Sequence, residues 1–259
     1  MTTATDPGTG LAYDLQGTGP PVVFLHGLTF DRHSWRPIVE RLDGSVTSVT
    51  IDLPAHGDSG GEPEWLESLA QRLHRLLMAL AVQRPIVVGH SMSAGLAALY
   101  AAAYPTRGMV AVDQGMEIRP FAQLVHRLEP MLRGPGFDQV WQDLDTSIGL
   151  DLVPEPTRTQ VGNGRRVRQD IVLGYWEQVL STDPDDLQAW IDEQTRAVNV
   201  PCLGVFGRTM TDGERDRFHR LPDVQIEEWE GGGHCVHLVD PSRFAARLRQ
   251  FVEYCDRAH

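Results

Sequence analysis

A chain of 259 residues with 41% hydrophobic and 22% charged residues has the composition of one larger globular domain, neither disordered nor of low complexity. Its net charge of -12 argues against nucleic acid or an anionic membrane surface as the main partner. All 23 basic residues are arginine, which excludes a Schiff-base lysine mechanism.

In chain order, the opening MTTATDPGTG lacks the basic and apolar regions of a secretory signal and is short for a full first strand. Short apolar runs follow in LAYDLQGTGPPVVFLHG and SVTSVTID, and then the leucines of EWLESLAQRLHRLLMAL recur at three- and four-residue steps, the spacing of a helix. The stretch from Ile86 to Tyr104 is apolar enough to suggest a membrane span, but Gly89, His90, Ser91 and Ser93 interrupt it, and it reads as a buried strand followed by a buried helix. A further strand, GMVAVD, precedes an interval, 117–198, that carries helical patterns but no strand, with a loop rich in Pro and Gly from Pro154 to Gly164. PCLGVFG and VQIEEWE are the last strands and SRFAARLRQFVEYC the last helix. The alternation predicts an α/β fold, a mainly parallel sheet with helices on both faces, built from 1–116 and 199–259 with 117–198 inserted. Cys202, Cys235 and Cys255 are odd in number and scattered, the usage of a reduced, cytoplasmic chain.

Ser91 is the first residue to carry chemistry. In a parallel sheet ligands bind beyond the carboxyl ends of the strands, where a sharp strand-to-helix turn after PIVVGH holds a hydroxyl outward. Such a turn needs small neighbours, and Gly89 and Ser93 supply them. A plain helix N-cap is the competing reading of the same serine. The turn after VVFLHG can aim the Leu28 amide toward the same space as the Met92 amide, and two convergent N–H groups make an oxyanion hole. His26, His90 and His237 read as structural residues, no His or Asp spacing forms a metal-ligand set, and no cofactor is expected. Arg165, Arg166 and Arg168 read as an exposed loop of the insertion rather than an anion site.

FLHG, DLPAHGDS, VGHSMSAG and GGGHCVHLVDP, in this order, resemble the motifs of the α/β-hydrolase superfamily over essentially the whole chain. The resemblance implies Ser91 as nucleophile, His234 as general base, Leu28 and Met92 amides as oxyanion donors, and 117–198 as a helical cap over the pocket. It breaks at the acid. The family's usual aspartate position, three residues beyond Gly207, holds Met210, whose thioether cannot orient an imidazole. Asp113, at the end of GMVAVD, is the preferred substitute, because certain members place their acid after that strand; Asp212 is the alternative, Glu117 a weaker one, and a site without an acid stays open.

The expected activity is cleavage of a carboxylic ester or lactone of a small, largely apolar substrate through an acyl-enzyme. Cofactor-free dioxygenases and C–C hydrolases of the same fold, and a binding protein with a degenerate triad, are the competing classes. Trp141, Tyr175, Trp176 and Trp190 in the insertion favour an apolar or aromatic substrate wherever they face the cleft. Oligomeric state is not legible.

Overall fold

The computed structural model describes residues 1–258. Its strands are β1 (Thr2–Thr5), β2 (Ala12–Gln16), β3 (Pro21–Leu25), β4 (Thr47–Ile51), β5 (Ile86–His90), β6 (Gly108–Val112), β7 (Cys202–Phe206) and β8 (Val224–Glu228). They form one sheet in the order β1-β2-β4-β3-β5-β6-β7-β8. The β1/β2 and β2/β4 pairs are antiparallel and every other pair is parallel. The N-terminus is less curtailed than its sequence suggests, since β1 pairs with β2 from Thr2↔Leu15 to Thr5↔Ala12.

Both faces of the sheet are buried, so β3, β5, β6 and β7 are apolar at nearly every position and their side chains part by parity. Val23 and Leu25 of β3 and Val87 of β5 pack into one core, whereas Val22, Phe24, Ile86 and Val88 pack into the other. Helices α1 (Arg36–Leu42), α2 (Leu66–Ala79) and α3 (Met92–Ala103) fall between the early strands. Only one stripe of α2 is buried, through Leu69, Leu73, Leu76 and Leu77. α3 is buried from Ser93 to Ala101 except at Gly95, because it lies against β5 and β6 and is covered by α2. This full coverage explains its apolar sequence without any membrane. No helix among the described residues is long and apolar enough to cross one.

Between β6 and β7 come α4 (Arg119–Leu132), α5 (Phe137–Ile148), α6 (Thr157–Gly164), α7 (Gln169–Ser181) and α8 (Pro184–Arg196). α6 lies in the stretch read as a loop. Only Val161 of it is buried, so it carries no periodic apolar signal. The chain then adds α9 (Asp212–Phe218), α10 (Val236–Val239) and α11 (Pro241–Ala258), the last packed on α1.

Candidate active site

Ser91 follows the last residue of β5 with φ 55° and ψ -130°, a left-handed conformation uncommon for a residue with a Cβ. The crowding of strand against helix dictates the neighbours. A Cβ on Gly89 would lie 1.9 Å from the Ser93 carbonyl oxygen, and one on Gly27 would lie 2.8 Å from the His90 Nδ1. Ser93 is fully buried and donates its hydroxyl to the His26 carbonyl at 2.6 Å, so a serine is accommodated at this small position. The Ser91 amide donates to the Val112 carbonyl, 2.9 Å, while its side chain makes no capping bond to α3. Ser91 therefore occupies the N-cap position without doing an N-cap's work. The Leu28 amide and the Met92 amide, the first of α3, find no hydrogen-bond acceptor among the described residues.

His234 comes from the turn after β8, where Gly231 and Gly233 adopt φ 78° and 61°. The amides of Gly232 and Gly233 donate to the Gly207 carbonyl at 3.1 and 3.2 Å, which fixes the turn against the end of β7. His234 directs Nδ1 at the Asp113 Oδ2, 2.8 Å away. Asp113 follows β6 with φ 50°, and its other oxygen accepts from the Gly207 amide at 2.8 Å. Burial pushes the Asp113 carboxyl up, but the hydrogen bond and charge of His234, the Gly207 amide and the Arg208 charge together outweigh it and hold the group below the usual aspartate range. Asp212 is exposed at the start of α9 and makes no hydrogen bond to His234 among the described residues. Met210 is buried in apolar packing, and Glu117 is bonded to Arg217 and Thr211.

Ser91, His234 and Asp113 line one cavity of about 610 Å³ with Leu28 and Met92. The stretch of helices between β6 and β7 supplies most of its remaining wall, and Trp141, Tyr175, Trp176 and Trp190 all belong to it. Arg208 is the cationic side chain on that wall, and it is committed to a two-pronged pairing with Glu214 at 2.7 and 2.6 Å.

The family model described as "Alpha/beta hydrolase family" matches residues 22–247, most of the chain. The chain belongs to the α/β-hydrolase family. Among curated relatives, 2-succinyl-6-hydroxy-2,4-cyclohexadiene-1-carboxylate synthase of Yersinia pseudotuberculosis is 25% identical over 253 residues, covering 92% of this chain and 89% of that protein. Pimeloyl-[acyl-carrier protein] methyl ester esterase of Vibrio atlanticus is also 25% identical, over 266 residues, covering 94% and 98%. The solved enol-lactonase of Burkholderia xenovorans shares the fold with a TM-score of 0.75 at 18% identity, covering 97% of this chain and 100% of that one.

In this α/β-hydrolase, histidines brace the turn that carries Leu28. His26 donates Nδ1–H to the Gly27 carbonyl, 2.8 Å, and accepts the Leu53 amide at Nε2, 3.0 Å. His56 donates to the Pro54 carbonyl, 3.0 Å, and accepts the Thr29 amide, 3.2 Å. Only a neutral imidazole can donate and accept at once, and burial, the largest influence on both, holds both rings below the usual histidine range. The DLPAHGDS loop thus supports the Leu28 turn, a role the sequence does not disclose. Arg165 departs from its reading as an exposed loop residue: its side chain is only 9% exposed and pairs with Asp145. Arg166 and Arg168 are exposed as expected. Cys235 is buried, which pushes its thiol up to about 12 and leaves it without thiolate character.

Proposed function

We propose that this α/β-hydrolase is a serine hydrolase that cleaves a carboxylic ester or lactone of an uncharged, largely apolar, aromatic-bearing small molecule. The observation that carries the proposal is Ser91, strained outward at the end of β5, opening on the same cavity as a His234 already bonded to Asp113. Ser91 Oγ attacks the carbonyl carbon while His234 Nε2 takes its proton. Asp113 keeps the proton-bearing nitrogen of His234 turned away from Ser91 and stabilises the imidazolium that forms. The Leu28 and Met92 amides receive the oxyanion, each worth about 3 kcal/mol of transition-state stabilisation. His234 then returns the proton to the leaving oxygen, and water repeats the sequence on the acyl-enzyme.

Helices α4–α8 serve as a cap that excludes water. The substrate class follows from the wall. A cavity of about 610 Å³ suits a drug-sized ligand, and the tryptophans offer flat apolar faces. With Arg208 held by Glu214, no uncommitted arginine lines the cavity among the described residues to reward a carboxylate on the substrate. The esterase and lactonase names among the similar proteins support the bond type.

Labelling with a fluorophosphonate followed by peptide mapping tests the chemistry. An adduct on Ser91, absent from a folded Ser91→Ala protein that no longer cleaves activated esters, is the expected result. No adduct, or ester turnover undiminished in Ser91→Ala, would sink the serine-hydrolase reading in favour of a non-hydrolytic member of the fold.

A further inference from the structure

We propose that Arg165, just beyond the end of α6, is a positioning residue that holds the 26–30 turn, and with it the Leu28 amide, in its anion-receiving form. This rests on the serine-hydrolase reading for its catalytic consequence, though not for the positioning itself.

The argument begins at Thr29. It is a β-branched residue with φ 71°, and it is fully buried. A residue of that kind holds such a conformation only where its surroundings over-determine it. Each polar group of Thr29 has a partner. The amide donates to His56 Nε2 at 3.2 Å, the carbonyl accepts the Arg166 amide at 2.9 Å, and the hydroxyl accepts Arg165 Nε–H at 3.0 Å. Two of those three partners come from the two residues that follow α6.

The same stretch grips the residues beyond. The Arg165 guanidinium lies over the Phe30 ring, 5.1 Å from its centroid, and Phe30 meets the His90 ring edge-on at 5.7 Å. The Phe30 amide donates to the Gly27 carbonyl at 3.1 Å, closing a turn with Leu28 inside it. A Cβ on Gly164 would lie 2.2 Å from Asp31 Oδ2, so the backbone here is pressed against the residue that caps the next turn at the His33 amide, 2.9 Å. Residues 164–166 therefore touch 29, 30 and 31 in succession. Arg165 is paired with Asp145 of α5, so its charge is spent within the protein and it is no ligand site. A plain tether between insertion and core would need only the ion pair. The Nε–H bond to a strained residue one position after Leu28 is what a positioning role requires.

Hydrogen exchange and kinetics on the full chain test this with Arg165→Ala, Arg165→Lys and Asp145→Asn. Lysine keeps the charge opposite Asp145 but has no Nε–H to give Thr29, whereas Asp145→Asn weakens the ion pair and leaves that bond intact. The expected result is exchange of peptide 26–31 faster by roughly tenfold in both arginine variants and much less so in Asp145→Asn. Phosphonylation of Ser91 and kcat should fall roughly ten- to a hundredfold in the arginine variants, short of the loss of a whole oxyanion donor. KM should move less than about threefold, and the pH profile should keep its shape. Should Arg165→Ala not fold, Thr29→Val removes only the hydroxyl acceptor and is expected to act in the same direction. Unchanged exchange at 26–31 overturns the proposal, as does a loosening spread evenly over 117–198 or matched in Asp145→Asn. If the wild-type protein neither labels nor cleaves esters while Arg165→Ala still loosens 26–31, the hydrolase reading fails and the positioning stands.

Discussion

Asp113 and His234 are 121 residues apart in the chain, yet their side chains meet at 2.8 Å because β6 and β8 flank β7 in the sheet. If this contact orients the base, Asp113→Asn should lower kcat on an activated ester by roughly 10³- to 10⁴-fold, since an amide favours the wrong imidazole tautomer. Asp212→Asn, at an exposed helix start, should leave kcat within about twofold. Steady-state kinetics on the two purified variants decides the ranking, and the reverse order would move the acid to the loop after β7. Ser91, His234 and the loss of the usual acid at Met210 were legible because each lies inside a local motif. For the partner of His234 the resemblance favoured Asp113 over Asp212 and Glu117 but left the choice open, because local spacing carries no information about which carboxylate a neighbouring strand brings beneath an imidazole.

Elements were legible in proportion to how much they bury. The parallel strands β3, β5, β6 and β7 are apolar at nearly every position, and α2 shows a regular stripe of leucines. β1 is largely exposed and α6 buries one side chain, so neither leaves a pattern to read. The loop after β4 is held by charge instead. Arg32 is 3% exposed and pairs with the fully buried Asp52, with Asp58 at 2.8 Å and with Asp14 at 3.3 Å. The Asp58 amide also donates to Asp52, 2.8 Å, which closes the loop on that carboxylate. Arg32→Leu would strand a buried charge and should destabilise the fold by about 3–5 kcal/mol. Urea unfolding of the variant against wild type measures this, and a loss under about 1 kcal/mol would mean that the pair is dispensable.

At the scale of the whole molecule, four histidines among the described residues are buried in the neutral form. Burial is the main cause for each: it holds His26 and His90 well below the usual value, lowers His56, and brings His237 to about 3. In the unfolded chain they take up protons near pH 6.5. Below that pH the unfolded state binds more protons than the folded one, so stability is complete above about pH 6.5 and is lost as pH falls toward the folded values. Each such histidine contributes a slope of about 1.4 kcal/mol per pH unit across its window. Urea titrations at successive pH values from 7 to 5 should show the midpoint falling steadily, and a flat profile would contradict neutral burial. Asp113, held below the usual range, adds the same sign at lower pH, its contribution being lost only as pH drops through its folded value.

What the sequence determined by itself is whatever short-range repetition and local steric need can encode: the alternation of strands and helices, the strandless run of helices between β6 and β7, the outward serine, and the glycine-rich turn carrying His234. Gly89 illustrates why, since the strand-to-helix turn that it permits brings its own neighbour Ser93 within 1.9 Å of any Cβ. What only the tertiary structure decided is every pairing across the sheet and across the insertion. Asp113 against His234, the neutral His26 and His56 beneath the Leu28 turn, and Arg165 on Thr29 each join residues at least 27 positions apart. Hydrogen bonds act over a few ångströms of space and are indifferent to separation along the chain, so they exist only once strand order and helix docking have closed those distances.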